Sequence, residues 1–135
     1  MNPALQERTR KFDAPASATS VRRLRHRVAE ALGDWGIVDR ADDVIHSCAE
    51  ILANALAHGQ TEVLTVHLDA RDGWLRLTVP DNNPYPPYPA DADRDDEDGR
   101  GVMLMTALAD AWGFRAADDG KCVFAEFDIS SYASK

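Results

Sequence analysis

The sequence predicts an α/β (α+β) domain built as a two-layer sandwich, with three helices on one face of a mixed, mainly antiparallel sheet. Two long segments carry apolar residues at helical spacing, and alternating β-rich runs are joined in pairs by turn residues. The order of elements (strand, two helices, two strands, helix, two strands) suits helices packed against a single sheet. With 135 residues, 44% hydrophobic and 28% charged, 1–135 is expected to form one domain.

The first helix follows a short extended segment from Thr9 to Asp13, and Ser17 or Ser20 can cap its start. It is expected to end near Gly33 or Gly36. Its inward residues are Val21, Leu24, Val28, Leu32 and Trp35. The other face is basic, which fits either a solvated surface or a docking site for a partner; it carries Arg22, Arg23, Arg25, His26 and Arg27.

The second helix is predicted from Arg40 to His58 and is stopped by Gly59. One face is an apolar stripe. The other face is a polar ridge whose members are spaced three, four and four residues apart: Ser47, Glu50, Asn54 and His58. An ordinary amphipathic helix also has a polar face, so the ridge by itself fits both a site and a solvated surface.

Two hairpins and a third helix complete the expected fold. The hairpins join Glu62–Asp69 to Trp74–Val79 and Phe114–Ala116 to Cys122–Ile129, and the third helix runs from Gly99 to Trp112. The stretch between the first hairpin and this helix is rich in proline and then in acidic residues. Such a long structureless segment in a small domain indicates a functional lid, at about 82–98.

Composition excludes several classes of protein. The formal net charge of −8 disfavours direct binding to nucleic acid, because the phosphate backbone would be repelled. The sequence contains no apolar run long enough for a membrane span and no signal-peptide core, which predicts a cytoplasmic protein without membrane contact. Cys48 and Cys122 lack metal-ligand or disulfide spacing and are interpreted as packed thiols.

Two further features point to a site beside the polar ridge. Asp81 directly follows a β-run, where the end of a strand is open to a ligand, and Gly99, Arg100 and Gly101 open a helix whose amides could receive phosphate. Each also has a plain structural interpretation. Asp81 fits a turn, and the glycines fit a loop-to-helix junction.

In this order and spacing, these residues resemble the gyrase, chaperone, histidine-kinase and mismatch-repair ATPase superfamily (GHKL), and within it the single-domain anti-sigma-factor serine kinases. The resemblance covers nearly the whole chain. The segment 50–59 (EILANALAHG) is similar to the N box of the family, and 99–105 (GRGVMLM) to its G2 box. A Bergerat-type ATP-binding fold is what the resemblance implies.

The resemblance also implies a role for each residue that matches the family pattern. Asn54 would ligate Mg²⁺ through its side-chain oxygen, while Glu50 would accept a proton from the attacking nucleophile or orient it. Asp81 would accept a hydrogen bond from the adenine amino group and so choose ATP over GTP. The backbone amides of Gly99 and Gly101 would meet the phosphates.

Other positions keep two interpretations or depart from the family. Arg100 can contact phosphate or face solvent, and His58 can belong to the site or stabilise the end of the helix. The family usually has glycines two and four residues after its Asp, where this chain has Asn83 and Tyr85. The resemblance implies that Cys122 occupies a position near the adenine, where the family commonly has a small hydroxylated residue.

Two functions follow from the resemblance. The first is an ATP-binding anti-sigma factor with serine/threonine kinase activity, which binds Mg·ATP, phosphorylates a STAS-type anti-anti-sigma partner and holds a sigma factor. The alternative is a nucleotide-sensing or nucleotide-independent regulatory module without phosphotransfer. A homodimer is compatible with both. A two-component histidine kinase is disfavoured, because His26 lacks the dimerisation-helix context of a phospho-accepting histidine.

Overall fold

The computed structural model describes residues 8–85 and 108–130. These residues form two helices and five strands, in the order β1 (Arg8–Pro15), α1 (Ala18–Asp34), α2 (Ala41–His58), β2 (Val63–Arg71), β3 (Trp74–Asp81), β4 (Ala111–Ala117) and β5 (Gly120–Asp128). The strands make one sheet in the order β1-β2-β3-β5-β4. All four pairings between these strands are antiparallel, so the mixed sheet of the prediction is corrected to an antiparallel one.

The two faces of the sheet differ sharply. Alternate residues of the three central strands are buried beneath the helices: Leu64, Val66, Leu68, Leu75, Leu77, Val79, Val123, Ala125 and Phe127. The opposite face carries polar cross-strand pairs, such as Arg76 with Glu126, whose Nη2 and Oε2 lie 2.6 Å apart. Because side chains alternate along a strand, this arrangement buries one face and solvates the other. The predicted two-layer α+β sandwich is confirmed.

Helix α1 begins after Ser17, whose side chain accepts a hydrogen bond from the backbone N–H of Ser20 at 3.1 Å. Ser17 therefore caps the helix, and this bond satisfies one of the N–H groups that a helix start leaves unpaired. On the basic face, Arg22, Arg23, His26 and Arg27 are exposed. Neither α1 nor α2, the two helices that the structure describes, is long and apolar enough to cross a membrane.

Helix α2 starts one residue later than predicted, at Ala41, and its start is attached to a distant part of the chain. Arg40 donates to the carboxylate of Asp110 at 2.8 Å, to the carbonyl of Leu108 at 3.1 Å and to the carbonyl of Asp128 at 3.1 Å. One guanidinium group presents several donors in a planar fork, so it can hold these acceptors together. Arg40 thereby fixes α2 against the open end of the β4–β5 hairpin, where the chain enters β4 and leaves β5.

The predicted third helix differs from the structure at its C-terminal end. Most of its span, through residue 107, lies outside the described residues. Trp112 was expected to be helical, yet it belongs to β4 and pairs with Ala125. The backbone N–H of Asp110 already donates to Glu126 at 2.9 Å, so pairing with β5 starts before Trp112. Aromatic residues such as Trp112 and Phe114 favour strands, and cross-strand pairing overrides the apparent helical spacing.

The β2–β3 turn agrees with the prediction. Asp72 and Gly73 have positive φ angles of 51° and 82°, between the paired ends Arg71 and Trp74. An Asp-Gly dipeptide with both φ angles positive is the preferred two-residue connection of a hairpin, because its twist matches that of the strands. This hairpin fixes the direction of β3 and therefore the position of Asp81 at its end.

Candidate functional site

A cavity of about 250 Å³ lies between α2 and the adjacent ends of β3 and β5. Among the described residues it is lined by Ile51, Asn54, Ala55, His58, Val79, Asp81, Asn83, Tyr85, Lys121 and Val123. Four of these ten residues are aliphatic, and five carry polar or charged side chains. A cleft that combines apolar surface with convergent polar groups is a candidate small-molecule site.

The polar ridge of α2 enters this cavity only in part. Asn54 is half-buried and lines the cavity together with the exposed His58. Glu50, one turn before Asn54, is half-buried but is not one of the described lining residues. Further along the ridge, the hydroxyl of Ser47 is buried and has no hydrogen-bond partner within 8–85 and 108–130.

Asp81 ends β3 at the floor of the cavity, opposite Lys121 of β5 in the strand register. The ammonium Nζ of Lys121 lies 3.1 Å from Oδ1 and 3.0 Å from Oδ2 of Asp81. Only 5% of the Lys121 side chain and 4% of the Asp81 side chain are exposed. Two opposite charges this close and this shielded form a buried ion pair.

The loop after Asp81 is organised by Asn83. Its backbone N–H donates to Oδ1 of Asp81 at 2.9 Å, and its side-chain amide donates to the carbonyl of His58 at 2.7 Å. Its side-chain oxygen accepts from the backbone N–H of Tyr85 at 3.0 Å, and its carbonyl accepts from Lys121 at 3.0 Å. Asn83, which replaces a glycine of the family pattern, thus ties the loop to both α2 and β5.

The end of α2 is held directly against the end of β3. The backbone N–H of Asn82 donates to the carbonyl of Gly59 at 2.8 Å. A Cβ atom at Gly59 would lie 2.8 Å from Cβ of Asp81 and 2.5 Å from the carbonyl oxygen of Ala55. Only glycine permits this approach. The helix that carries Asn54 is therefore held in contact with the residue that forms the cavity floor.

The two cysteines lie in different surroundings. Cys48 is fully buried in α2, and burial raises the pKa of its thiol to about 12. A thiol in such a site stays protonated and inert, which confirms its interpretation as a packed residue. Cys122 is half-buried and pairs with Pro80 on the solvated face of the sheet. Both are free cysteines.

Cys122 is therefore not among the described residues that line the cavity. The β5 side chains that line the cavity are those of Lys121, the neighbour of Cys122, and of Val123, because alternate residues of a strand point to the same face. Lys121 is not among the site residues predicted from the sequence. A signal was present in the alternation of Val123, Ala125 and Phe127, which marks the odd-numbered positions of this strand as inward.

The remaining predicted site residues lie outside the described residues. They are Gly99, Arg100 and Gly101, together with the lid beyond Tyr85. The structure brings Asn54, His58 and Asp81 together around one cavity.

Residues 14–127 match a family model described as the histidine kinase-like ATPase domain. The comparison with curated proteins gives no match.

The solved structures that share the fold include the following two. One is that of the RsbU and RsbW domains of Rv1364c from Mycobacterium tuberculosis, at 18% identity and a TM-score of 0.70, with 90% of this chain and 32% of that chain covered. The other is the histidine kinase domain of a blue-light activated histidine kinase from Erythrobacter litoralis, at 20% identity and a TM-score of 0.51, with 84% and 63% covered. This chain thus spans less than two thirds of either structure, and at these identities the likeness concerns the fold alone.

Proposed function

Because the chain belongs to the histidine kinase-like ATPase family, we propose that it is an ATP-binding anti-sigma factor that phosphorylates a serine or threonine of a STAS-type anti-anti-sigma partner. The observation that carries the proposal is the shared cavity of Asn54 and Asp81. The sequence singles out these two residues on separate elements, and both line one cleft. The similarity to a structure that contains an RsbW domain agrees with this proposal.

The cavity suits a nucleotide base. Ile51, Val79 and Val123 provide aliphatic surface against which a flat heterocycle can pack. Asp81 and Lys121 provide an acceptor and a donor at the floor. A base held there would be fixed by shape and by a small number of directed hydrogen bonds.

The phosphates would then extend along α2 toward Asn54. Within the described parts of the chain, no group of three or more His, Cys, Asp or Glu side chains could hold a metal ion. Asn54 would hold Mg²⁺ through its amide oxygen, since this ion usually takes few protein ligands and keeps phosphate and water around it. Bound Mg·ATP supplies the phosphoryl group and neutralises charge that develops during transfer.

Glu50 is the proposed proton acceptor. Its half-buried carboxylate lies one turn before Asn54 on the same face of α2, so it can face a hydroxyl placed near the phosphates. A carboxylate in that position can accept the hydroxyl proton or orient the nucleophile. The rest of the protein's contribution to catalysis is the positioning of the reactants, since phosphoryl transfer requires little covalent chemistry from the protein.

A second candidate is a regulatory binding module that senses nucleotide, or acts without it, and transfers no phosphate. One observation favours it. The carboxylate of Asp81, which the family pattern assigns to adenine, is already engaged by Lys121 and by the backbone of Asn83. A ligand must therefore share or displace existing hydrogen bonds, which lowers the net gain from binding.

Calorimetry with Mg·ATP, followed by transfer of label from γ-labelled ATP to purified STAS-domain proteins of the same organism, tests both candidates. A kinase labels one partner, and Glu50→Gln binds Mg·ATP but stops labelling. Glu30→Gln, an exposed glutamate on α1, serves as the matched control and should label normally. A partner that is captured without labelling supports the binding module. If the folded protein does not bind Mg·ATP at all, the ATP-binding function is refuted.

A further inference from the structure

Lys121 is the feature of the cavity that the resemblance does not explain. Its Nζ contacts both carboxylate oxygens of Asp81 and the carbonyl of Asn83, at 3.0 to 3.1 Å. Its hydrogen bonds go to Oδ1 of Asp81 and to the carbonyl of Asn83, and Oδ2 of Asp81 is in ion-pair contact with it. Lys121 is thus a buried cation with donor capacity at the floor of a site where the family pattern predicts only an acceptor.

The ion pair changes the chemistry that the floor presents to a base. A lone carboxylate only accepts hydrogen bonds, so it favours the amino group of adenine and repels the C6 carbonyl of guanine. The pair of Asp81 and Lys121 carries no net charge and offers an acceptor next to a donor. A base that brings a carbonyl oxygen can then be met by the ammonium group instead of being rejected.

Both purines can satisfy such a pair. Adenine presents its amino group as donor and N1 as acceptor, whereas guanine and hypoxanthine present N1–H as donor and O6 as acceptor. Donor and acceptor exchange places between these bases, because C6 carries the donor in adenine and the acceptor in guanine and hypoxanthine. A purine with a carbonyl at C6 would therefore lie turned over in the cleft relative to adenine, so that its N1–H faces Asp81 and its O6 faces Lys121. The acceptor of the base would take the place of the Asn83 carbonyl on Nζ, one neutral acceptor for another.

The carboxylate retains capacity for this contact. Oδ1 of Asp81 accepts from both Lys121 and the Asn83 backbone, while Oδ2 has Lys121 as its contact among the described residues. A carboxylate oxygen accepts two hydrogen bonds, so Oδ2 can also receive one from a base.

We propose that Lys121 sets the base selectivity of this site, by admitting purine nucleotides with a carbonyl at C6 alongside adenine nucleotides. This inference rests on the proposed nucleotide-binding function and names the ligands of the same site. The expected behaviour is comparable affinity for Mg·ATP, Mg·GTP and Mg·ITP. ITP isolates the effect of the carbonyl, because hypoxanthine has O6 and N1–H without the 2-amino group of guanine.

The test is a set of equilibrium dissociation constants for the three nucleotides, measured by calorimetry on wild type, Lys121→Met, Lys121→Thr and a control. In the wild type, GTP and ITP should bind within about tenfold of ATP, since each base makes one hydrogen bond to each partner. In Lys121→Met the preference for ATP over both should grow by about tenfold or more, because a charged hydrogen bond to O6 is lost. Lys11→Met removes an exposed lysine from β1 and should leave the ratios unchanged.

The outcomes separate the two proposals. Lys121→Thr is a second variant in case the methionine is not accommodated, and the wild-type ITP to ATP ratio needs no variant. A wild-type preference for ATP of more than about hundredfold would overturn the inference while leaving ATP binding intact, since a site that pairs O6 cannot reject it so strongly. Relaxed selectivity that both Lys121 variants retain would also overturn it. If the folded wild type binds none of the three, the ATP-binding function itself fails.

Discussion

Asp81 and Lys121 are direct cross-strand neighbours, and Nζ of the lysine lies 3.0 and 3.1 Å from the two carboxylate oxygens. The pair connects the ends of β3 and β5 at the floor of the cavity. It also leaves neither charge exposed, because both side chains are at least 95% shielded from solvent. The residue that the family pattern gives to the base is therefore part of the internal structure as well.

The first prediction concerns the stability that this pair contributes. Asp81→Asn and Lys121→Met should each lower the free energy of unfolding by on the order of 3–5 kcal/mol, because each leaves a buried charge without its partner. The double variant should lose much less than the sum, since it buries no charge. Urea unfolding of the four proteins measures the coupling. Additive losses would show that the two side chains do not interact energetically.

Metal-dependent binding is the subject of the second prediction. Asn54→Ala should abolish Mg²⁺-dependent ATP binding and leave the fold intact, because Asn54 lies half-buried at the cavity and outside the apolar core. Calorimetry with and without Mg²⁺, alongside circular dichroism, measures both effects. His46→Ala, an exposed residue of the same helix, is the control. Unchanged Mg·ATP affinity in the folded Asn54→Ala variant would contradict the assignment of Asn54 as the Mg²⁺ ligand.

The third prediction compares two glycines. Gly59→Ala should lower the free energy of unfolding by about 1–3 kcal/mol and weaken nucleotide binding, because the added methyl meets the Ala55 carbonyl and Asp81. Gly33→Ala, in α1, has nothing within 4 Å of the added Cβ and should instead raise stability by about 0.5–1 kcal/mol. Thermal or urea unfolding provides the measurement. Equal effects in the two variants would contradict the close approach at Gly59.

The fourth prediction is a pH dependence at the attachment of α2. The pKa of Asp110 is lowered by hydrogen bonds from the Asp128 backbone and from Arg40. A carboxyl with a lowered folded pKa stabilises the protein above its unfolded pKa of about 3.9, and this contribution is lost as the pH falls through the folded value. Asp110→Asn should thus cost about 0.5–1 kcal/mol at pH 7, a modest figure because the side chain is partly exposed.

Urea unfolding between pH 7 and acid pH measures that difference, which should shrink at the acid end. Asp119→Asn, an exposed residue in the β4–β5 turn, is the matched control and should change stability little at any pH. A cost for Asp110→Asn that stays constant throughout acid titration would show that the charge of Asp110 is not what holds Arg40 in place.

The sequence predicted α2 to within one residue, together with its polar ridge and apolar stripe. Helical periodicity depends only on neighbours three and four positions away, so a single segment contains the information. The Asp72–Gly73 turn could be predicted equally well from the sequence, since two residues with positive φ suffice to specify it. The end of the third helix could not be predicted from the sequence. Residues around Trp112 satisfy a helical spacing and a strand pattern alike, and pairing with β5 decides between them.

Within the site, the sequence by itself determined the candidates Glu50, Asn54 and Asp81, because local motifs identify them. Only the tertiary structure decided that Lys121, and not Cys122, faces the cavity, since a shift of one residue in a strand moves a side chain to the opposite face. It also decided that Asp81 is neutralised by a lysine 40 positions away in the sequence. Charge compensation in a buried site depends on distances in space, and the pairing of β3 with β5 sets those distances.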